Sequence, residues 1–452
     1  MEKRDVVIIG GGPAGRVIVH KLYASDRDFS VTLIKNEEIN ANRCAVPYGI
    51  PDKKPIEKFQ ISNKLVTDFG AELVVDQVEK IDPDKKEVFT KEGRHFSYGN
   101  LVLATGSRPV VPPIPGVNAR TITCVRSIMD LSVLRDLSSR GKRAVVVGGG
   151  YIGIEVAVIL SEMGIDVTLV EMLPKILMTT VESEFISHVE NALNKNGIHL
   201  LTNEKVVEFK HQDDTSVNVK LGNGMTLPAD FVVLSAGVVP NTELASQAGI
   251  KTSRFGICVD EYMRTSSDHV YSCGDCVEKR SFITNQPTRG EFGTNAVFMA
   301  KVTAQNILGG AKKFPGVINA NATSVFDLSL GSAGLTEQMA IDAGLNIVSG
   351  RSEVLDKYPM MDKVSPTHTK LIFNLENQKL IGGSILGNGH GTAQHVDFIS
   401  LAIQMGATMD DLLTYQYCTH PELAAKPSDN CYVFAARDAF MTEKDSYYYG
   451  TR

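Results

Sequence analysis

The chain has 452 residues, 43% hydrophobic and 22% charged, with a net charge of −6 at neutral pH. At roughly 150 residues per domain this is room for about three domains. The balance excludes a disordered chain, a small disulfide-stapled scaffold, and a basic surface for nucleic acid or anionic membrane.

The N-terminus passes from Met1–Asp5 straight into Val6-Val7-Ile8-Ile9, with no space for a secretory leader. The longest apolar runs are far shorter than the roughly 18 residues that span a bilayer. A cytoplasmic protein without membrane attachment is expected. Seven scattered cysteines in such a chain argue against a disulfide framework and for a catalytic thiol. Only Cys273 and Cys276 have metal-like spacing, and one such pair without nearby histidines is too few ligands for zinc; no metal is expected.

Val6–Ile9 reads as a buried strand, Gly10-x-Gly12-x-x-Gly15 as a turn, and Arg16–Tyr23 as a helix. This is the order a dinucleotide-binding unit requires. Gly10 permits the tight turn, Gly12 lets the backbone approach a pyrophosphate, and Gly15 lets helix and strand pack, with the anion on free N–H groups of the helix N-terminus. The next strand, Val31–Ile34, ends on Lys35 where an acid is expected. Glu37 and Glu38 follow, and the reading does not choose between them for the ribose.

The pattern recurs: Ala144-Val145-Val146-Val147, then Gly148-x-Gly150-x-x-Gly153 with Tyr151 and Ile152 inside it, an apolar helical stretch Ile154–Met163, and a strand Val167–Val170 ending on Glu171. A carboxylate about 20 residues past the turn accepts hydrogen bonds from a ribose 2′-hydroxyl and repels a 2′-phosphate, so this site favours NADH over NADPH. The two turns define two complete nucleotide-binding units.

Further landmarks are Ala104-Thr105-Gly106 after Leu101-Val102-Leu103, Ala236-Gly237-Val238-x-Pro240-Asn241, Cys273-Gly274-Asp275-Cys276 after Val270-Tyr271-Ser272, and Gly293-Thr294-Asn295-Ala296. With the two glycine turns, they resemble the FAD-dependent pyridine nucleotide-disulfide oxidoreductases from the first residues to about residue 440. The resemblance implies an α/β fold with two Rossmann-like, glutathione reductase-type domains and a C-terminal α+β dimerisation domain. An interrupted FAD domain is expected over 1–112 and 244–325, an NAD(H) domain over 113–243, and an interface domain over 326–452. FAD is then assigned to Gly10, Gly12, Pro13, Ala14, Gly15, Lys35, Glu37, Val78, Ala104, Thr105, Gly106, Gly274, Asp275, Thr294 and Asn295. The nicotinamide nucleotide is assigned to Gly148, Gly150, Tyr151, Ile152, Gly153, Glu171 and Gly237.

Cys44 decides the branch. Two-cysteine members carry a second thiol five positions later, and here Cys44 is followed by Ala45-Val46-Pro47-Tyr48 and Gly49. Cys-x-x-Pro-Tyr is similar to the single-cysteine branch: coenzyme A disulfide reductases, NADH-dependent persulfide or polysulfide reductases, and NADH oxidases. The resemblance implies that electrons pass from NADH through FAD to a sulfur bond at Cys44. The oxidised form is then a mixed disulfide, persulfide or sulfenic acid. Tyr358, with Tyr415 or Tyr417, is expected near the sulfur in a homodimer. His420 in Thr-His-Pro-Glu is a candidate acid, although the acid that normally follows it is Ala425. Cys124 and Cys258 read as core residues. The substrate expected is a small thiol-bearing disulfide or persulfide, including coenzyme A derivatives. An oxygen-reducing NADH oxidase is the first rival reading, and a flavin-bound redox sensor without turnover the second.

Overall fold

The structure is a computed structural model and describes residues 1–213, 215–388 and 391–449. It divides into two compact units. The first comprises Met1–Pro112, Thr123–Arg140 and Leu234–Val317; the second comprises Pro113–Ile122, Gly141–Val233 and the chain from Ile318 onward.

In the first unit, strand Glu2–Ile9 pairs in parallel with Val31–Lys35 on one side and His95–Leu103 on the other. Val6, Val7, Ile8 and Ile9 are all buried, as a parallel strand covered on both faces must be. The long strand His95–Leu103 divides its outer edge between two partners. Its start pairs antiparallel with Glu87–Thr90, and its end pairs in parallel with Val270–Ser272. That second pairing brings the Gly274–Asp275 turn, far off in sequence, beside Ala104-Thr105-Gly106. Helix Pro13–Tyr23 has proline in its first turn, where a missing N–H costs nothing, and buries Ile18, Val19 and Leu22. It packs on helix Gly293–Ile307, and Ala14 and Ala296, in the first turns of the two helices, both lie against Gly274.

In the second unit, parallel strands Arg143–Val147, Asp166–Val170 and His199–Leu201 are neighbours in that order. Helix Tyr151–Glu162 buries Ile154 and every residue from Val156 to Leu160; this near-complete burial follows from a second neighbour, the strand Asn321–Val325. A three-stranded antiparallel sheet spans Val206–Asp213, Ser216–Leu221 and Thr226–Ala229. The remainder is a five-stranded antiparallel sheet in the order Asn321–Val325, Leu328–Gly334, Leu380–Gly387, Pro366–Asn374, Ile347–Leu355, with helices Thr392–Met405 and Cys431–Tyr449 packed on it. The last helix approaches very closely: a Cβ on Gly350 would lie 1.9 Å from the Ala435 carbonyl oxygen. No helix among the described residues is long and apolar enough to cross a membrane.

Candidate active site

The two glycine turns are near copies of each other. Gly10 and Gly148 have φ of +121° and +111°, and each donates its N–H to the end of the neighbouring strand, at Ile34 and Val170, at 2.8 Å. A Cβ on Gly10 would sit 2.0 Å from the Ala104 carbonyl oxygen, and one on Gly15 would sit 2.1 Å from that of Gly10. Gly12 and Gly150 face open space. The two outer glycines of the first turn, Gly10 and Gly15, are thus required by packing, whereas the central glycine leaves room where a phosphate would meet the helix N-terminus.

Three further segments close on the first turn. Gly274, at φ +88°, has space for a Cβ only between Ala14 and Ala296, at 3.3 and 3.7 Å from their β-carbons. Asp275 accepts from Ser107 Oγ at 2.9 Å, and Ser107 Oγ in turn accepts from Arg126 at 3.2 Å. Thr105 Oγ1 donates to the Asn241 carbonyl, and Asn241 Nδ2 donates to the Thr105 carbonyl, both at 2.8 Å. Gly237, assigned to the nicotinamide nucleotide, lies in the first unit, beside the strand pair Ser107–Pro109 and Val238–Pro240. Thr294 is exposed on the first turn of helix Gly293–Ile307, while Asn295 Nδ2 donates to the Gly290 carbonyl at 3.0 Å. Val78 is half-buried at the start of strand Val78–Asp82.

Lys35 stands where an acid is usual and turns beneath the turn. Its ammonium is buried and donates to Asn63 Oδ1 at 2.6 Å, Asn40 Oδ1 at 2.7 Å and the Glu38 carbonyl at 3.0 Å, and its stem lies under Gly11. Burial, followed by the nearby Arg16 charge, pushes its pKa down against the pull of Glu37 and Glu38. Glu37 is held instead by Arg43 at 3.4 Å and Asn40 at 3.2 Å.

Sequence reasoning missed three arginines. Arg43 and Arg126 both reach Gly106, within 3.6 and 3.9 Å of where its Cβ would lie. Burial, and then the like charge of Arg43, pull Arg126 down to about 10, against Asp275, Glu37 and Asp130; it stays a cation at neutral pH. Arg16 is lowered in the same way, first by burial and then by Arg43, and among the described residues no carboxylate pairs with it. Crowded, partly desolvated guanidinium groups have the charge and donors that suit an anion such as a pyrophosphate. The signal available in sequence was only Arg16 itself, one position past Gly15.

Cys44 is exposed on a short 3₁₀ turn, Arg43–Ala45, followed by a second, Pro47–Gly49. The segment after it is fixed: Val46, Pro47, Gly49 and Ile50 are buried, and a Cβ on Gly49 would meet Leu131 at 2.8 Å. Arg135 clamps the same loop, donating to the Gly49 carbonyl at 2.8 Å and the Lys54 carbonyl at 2.7 Å and pairing with Asp52 at 2.5 Å. The thiol is therefore accessible on a rigid mount.

At the second turn, Glu171 is buried with both oxygens engaged, accepting from Gly149 N–H at 2.6 Å and Leu173 N–H at 2.7 Å. Gly149 has no side chain because Ile176 and Glu171 occupy the space. Ile152 is exposed and Gly153 buried. Tyr151 turns its hydroxyl onto Asn321 Oδ1.

The candidates from the end of the chain gather in one loop cluster. Tyr358 OH is 3.1 Å from Thr419 Oγ1, and its N–H donates to the Pro421 carbonyl. His420 is exposed and accepts from Glu422 N–H at 3.3 Å. Tyr417 donates to the Pro427 carbonyl at 2.6 Å, and Tyr415 to Asn430 at 3.0 Å. Cys418 is exposed and Cys431 buried, its thiol pushed up to about 11 by burial. Cys273 and Cys276 are buried in the core of the first unit, where Cys276 Sγ donates to backbone carbonyls. Cys124 and Cys258 are partly buried.

Residues 4–300 match the family profile described as pyridine nucleotide-disulphide oxidoreductase, and residues 321–430 match its dimerisation domain. An NADH oxidase of Methanocaldococcus jannaschii is 34% identical, over 92% of this chain and 95% of that one. An NAD(P)H coenzyme A polysulfide/persulfide reductase of Pyrococcus horikoshii is 27% identical, over 90% and 93%. The structure of an NAD-dependent persulfide reductase from A. fulgidus superposes with a TM-score of 0.91 at 31% identity, over 98% of this chain and 84% of that one. The protein is an NAD(P)H-dependent flavin oxidoreductase of the kind that includes persulfide reductases and NADH oxidases, and its cofactors are FAD and a nicotinamide nucleotide. The chain belongs to the pyridine nucleotide-disulphide oxidoreductase family.

Proposed function

We propose that the chain is an NADH-dependent reductase of a small persulfide, polysulfide or disulfide, acting through Cys44 alone. The observation that carries this reading is the exposed Cys44 thiol on a clamped turn with Gly49 where a second redox cysteine would stand. The first glycine turn, Asp275 and the Arg16, Arg43 and Arg126 cluster would hold FAD, which when bound would supply two-electron transfer from the nicotinamide. The open space over Gly12 and Arg16, with which no carboxylate among the described residues pairs, fit its pyrophosphate. Gly150 and Glu171 hold the nicotinamide nucleotide at the second turn.

The Cys44 thiolate attacks the outer sulfur of R–S–S–H or R–S–S–R. The S–S bond breaks, R–S⁻ leaves and takes up a proton as R–SH, and the sulfur retained on Cys44 leaves as sulfide, or as the second thiol from R–S–S–R, when two electrons from NADH and a proton reduce the new S–S bond and restore the thiolate. Arg135 and the buried flanks keep the thiol oriented. In this reading 1–112 and 244–325 hold FAD together with Arg126, whose segment Thr123–Arg140 packs in the same unit, the rest of 113–243 holds NADH, and 326–452 pair two copies. Exposed Met360, Leu401, Met405 and Leu423 supply apolar surface for such a contact. Tyr358 and Tyr417 of the partner subunit then serve the sulfur site, His420 protonates the leaving thiolate, and coenzyme A is a candidate carrier.

Likeness to an NADH oxidase supports a second reading in which oxygen is the acceptor and Cys44 cycles through a sulfenic acid. Anaerobic assays with NADH and coenzyme A disulfide, coenzyme A persulfide or polysulfide, beside an aerobic assay without sulfur compounds, separate the two. Turnover confined to oxygen overturns the first reading.

A further inference from the structure

We infer that Asn321 and Thr323, on the first strand of the C-terminal sheet, are positioning residues for nicotinamide-nucleotide binding. The inference rests on the reading that the second glycine turn takes NADH.

Tyr151 is the first residue of the helix that follows Gly150, and Glu155 lies one turn on, on the same side. Asn321 and Thr323 are two apart on an edge strand and therefore point the same way. The two pairs match rung for rung: Tyr151 OH donates to Asn321 Oδ1, and Thr323 Oγ1 donates to Glu155 Oε1 at 3.0 Å. Asn321 is itself held, donating through Nδ2 to the Asn319 carbonyl at 2.8 Å and to Ser332 Oγ at 3.2 Å.

The segment after Glu171 is fastened to the same sheet. Leu177 N–H donates to the Gly149 carbonyl at 3.0 Å, and the Thr180 carbonyl accepts from Ser332 Oγ at 2.8 Å. Glu182, almost wholly buried, accepts from Glu337 N–H and from buried Lys370, both at 2.8 Å. These bonds hold the helix that presents its N–H groups to the pyrophosphate, and the loop that carries the ribose carboxylate, against one scaffold. A subunit-contact domain needs none of them. Because a helix N-terminus binds an anion through the direction of its N–H groups, a small rotation of this helix weakens binding in ground and transition states alike.

The test is Thr323→Val, which removes the hydroxyl at nearly constant volume, with Asn321→Ala beside it and Thr323→Ser as the conservative control. In the flavin-loaded enzyme, NAD⁺ affinity by calorimetry and KM for NADH should each worsen by about tenfold, with kcat at saturating NADH within about twofold, the pattern of lost uniform binding. FAD content should not change, and Thr323→Ser should restore affinity. A lowered melting temperature with NAD⁺ affinity and KM as in the parent would overturn the inference, leaving these residues a stability role only. Failure of the parent enzyme to bind NAD⁺ would overturn the assignment of the second turn, and the inference with it. If Asn321→Ala does not fold, Thr323→Val alone decides.

Discussion

Thr105 and Asn241 hold each other by reciprocal bonds, side chain to main chain in both directions at 2.8 Å. A third bond, from Asn241 N–H to the Gly106 carbonyl at 2.9 Å, closes the lock, and Arg108 braces Asn241 Oδ1 at 2.9 Å. The Thr-Gly turn that lies against the first glycine turn is thus set by a residue distant in sequence. Asn241→Ala leaves the Thr105 carbonyl and the Arg108 guanidinium without this partner. A loss of about 1–3 kcal/mol is expected, read as a lower melting temperature and as flavin shed on gel filtration.

The glycine turns provide a paired test. Gly12→Ala and Gly150→Ala each put a methyl group into open space, so both variants should fold. The first should emerge largely colourless, without flavin. The second should keep its flavin and lose tight NADH binding. Gly10→Ala, strained at φ +121° and in collision with Ala104, should instead fail to fold. Visible absorbance of the purified variants distinguishes these outcomes.

Much of the site was legible because its signals are local. Strand, glycine turn and helix follow one another within about 20 residues, and Gly10, Gly12, Gly15 and Glu171 stand in the structure where that spacing puts them. What the sequence concealed depends on contacts between distant segments. Lys35 occupies the position of an acid, and nothing nearby in sequence shows that Asn63 takes its ammonium. Tyr151 reads as part of the glycine turn, yet its hydroxyl is bound to Asn321. The convergence of Arg43 and Arg126 on Gly106 likewise exists only once the chain is folded.

Glu171 braces the second turn through Gly149 and Leu173 N–H, and in the proposed function it is also the carboxylate that meets the ribose. Glu171→Gln keeps an acceptor oxygen but removes the charge. Discrimination against NADPH should fall by about tenfold, since the repulsion of a 2′-phosphate is lost. The ratio of kcat/KM for NADH and NADPH measures it.

Stability should respond to acid through Glu72. Burial alone would raise its pKa, but hydrogen bonds from Arg4, Arg94 and Thr32 outweigh this and hold it at about 2. The unfolded chain titrates near the ordinary value of 4.5. Because the folded value is depressed, the stabilisation is complete above about pH 4.5 and is lost as pH falls towards 2. Melting temperatures of the parent and of Glu72→Gln should differ by a constant amount at neutral pH and converge as pH approaches 2.

The central claim is that one thiol, Cys44, carries the sulfur chemistry. The most direct measurement is anaerobic NADH consumption by Cys44→Ser with a persulfide or polysulfide acceptor, alongside stopped-flow reduction of its flavin by NADH. The account predicts sulfur-acceptor turnover reduced by at least about a hundredfold, as for loss of a nucleophile, with flavin reduction by NADH intact. Turnover of Cys44→Ser equal to that of the parent would contradict it.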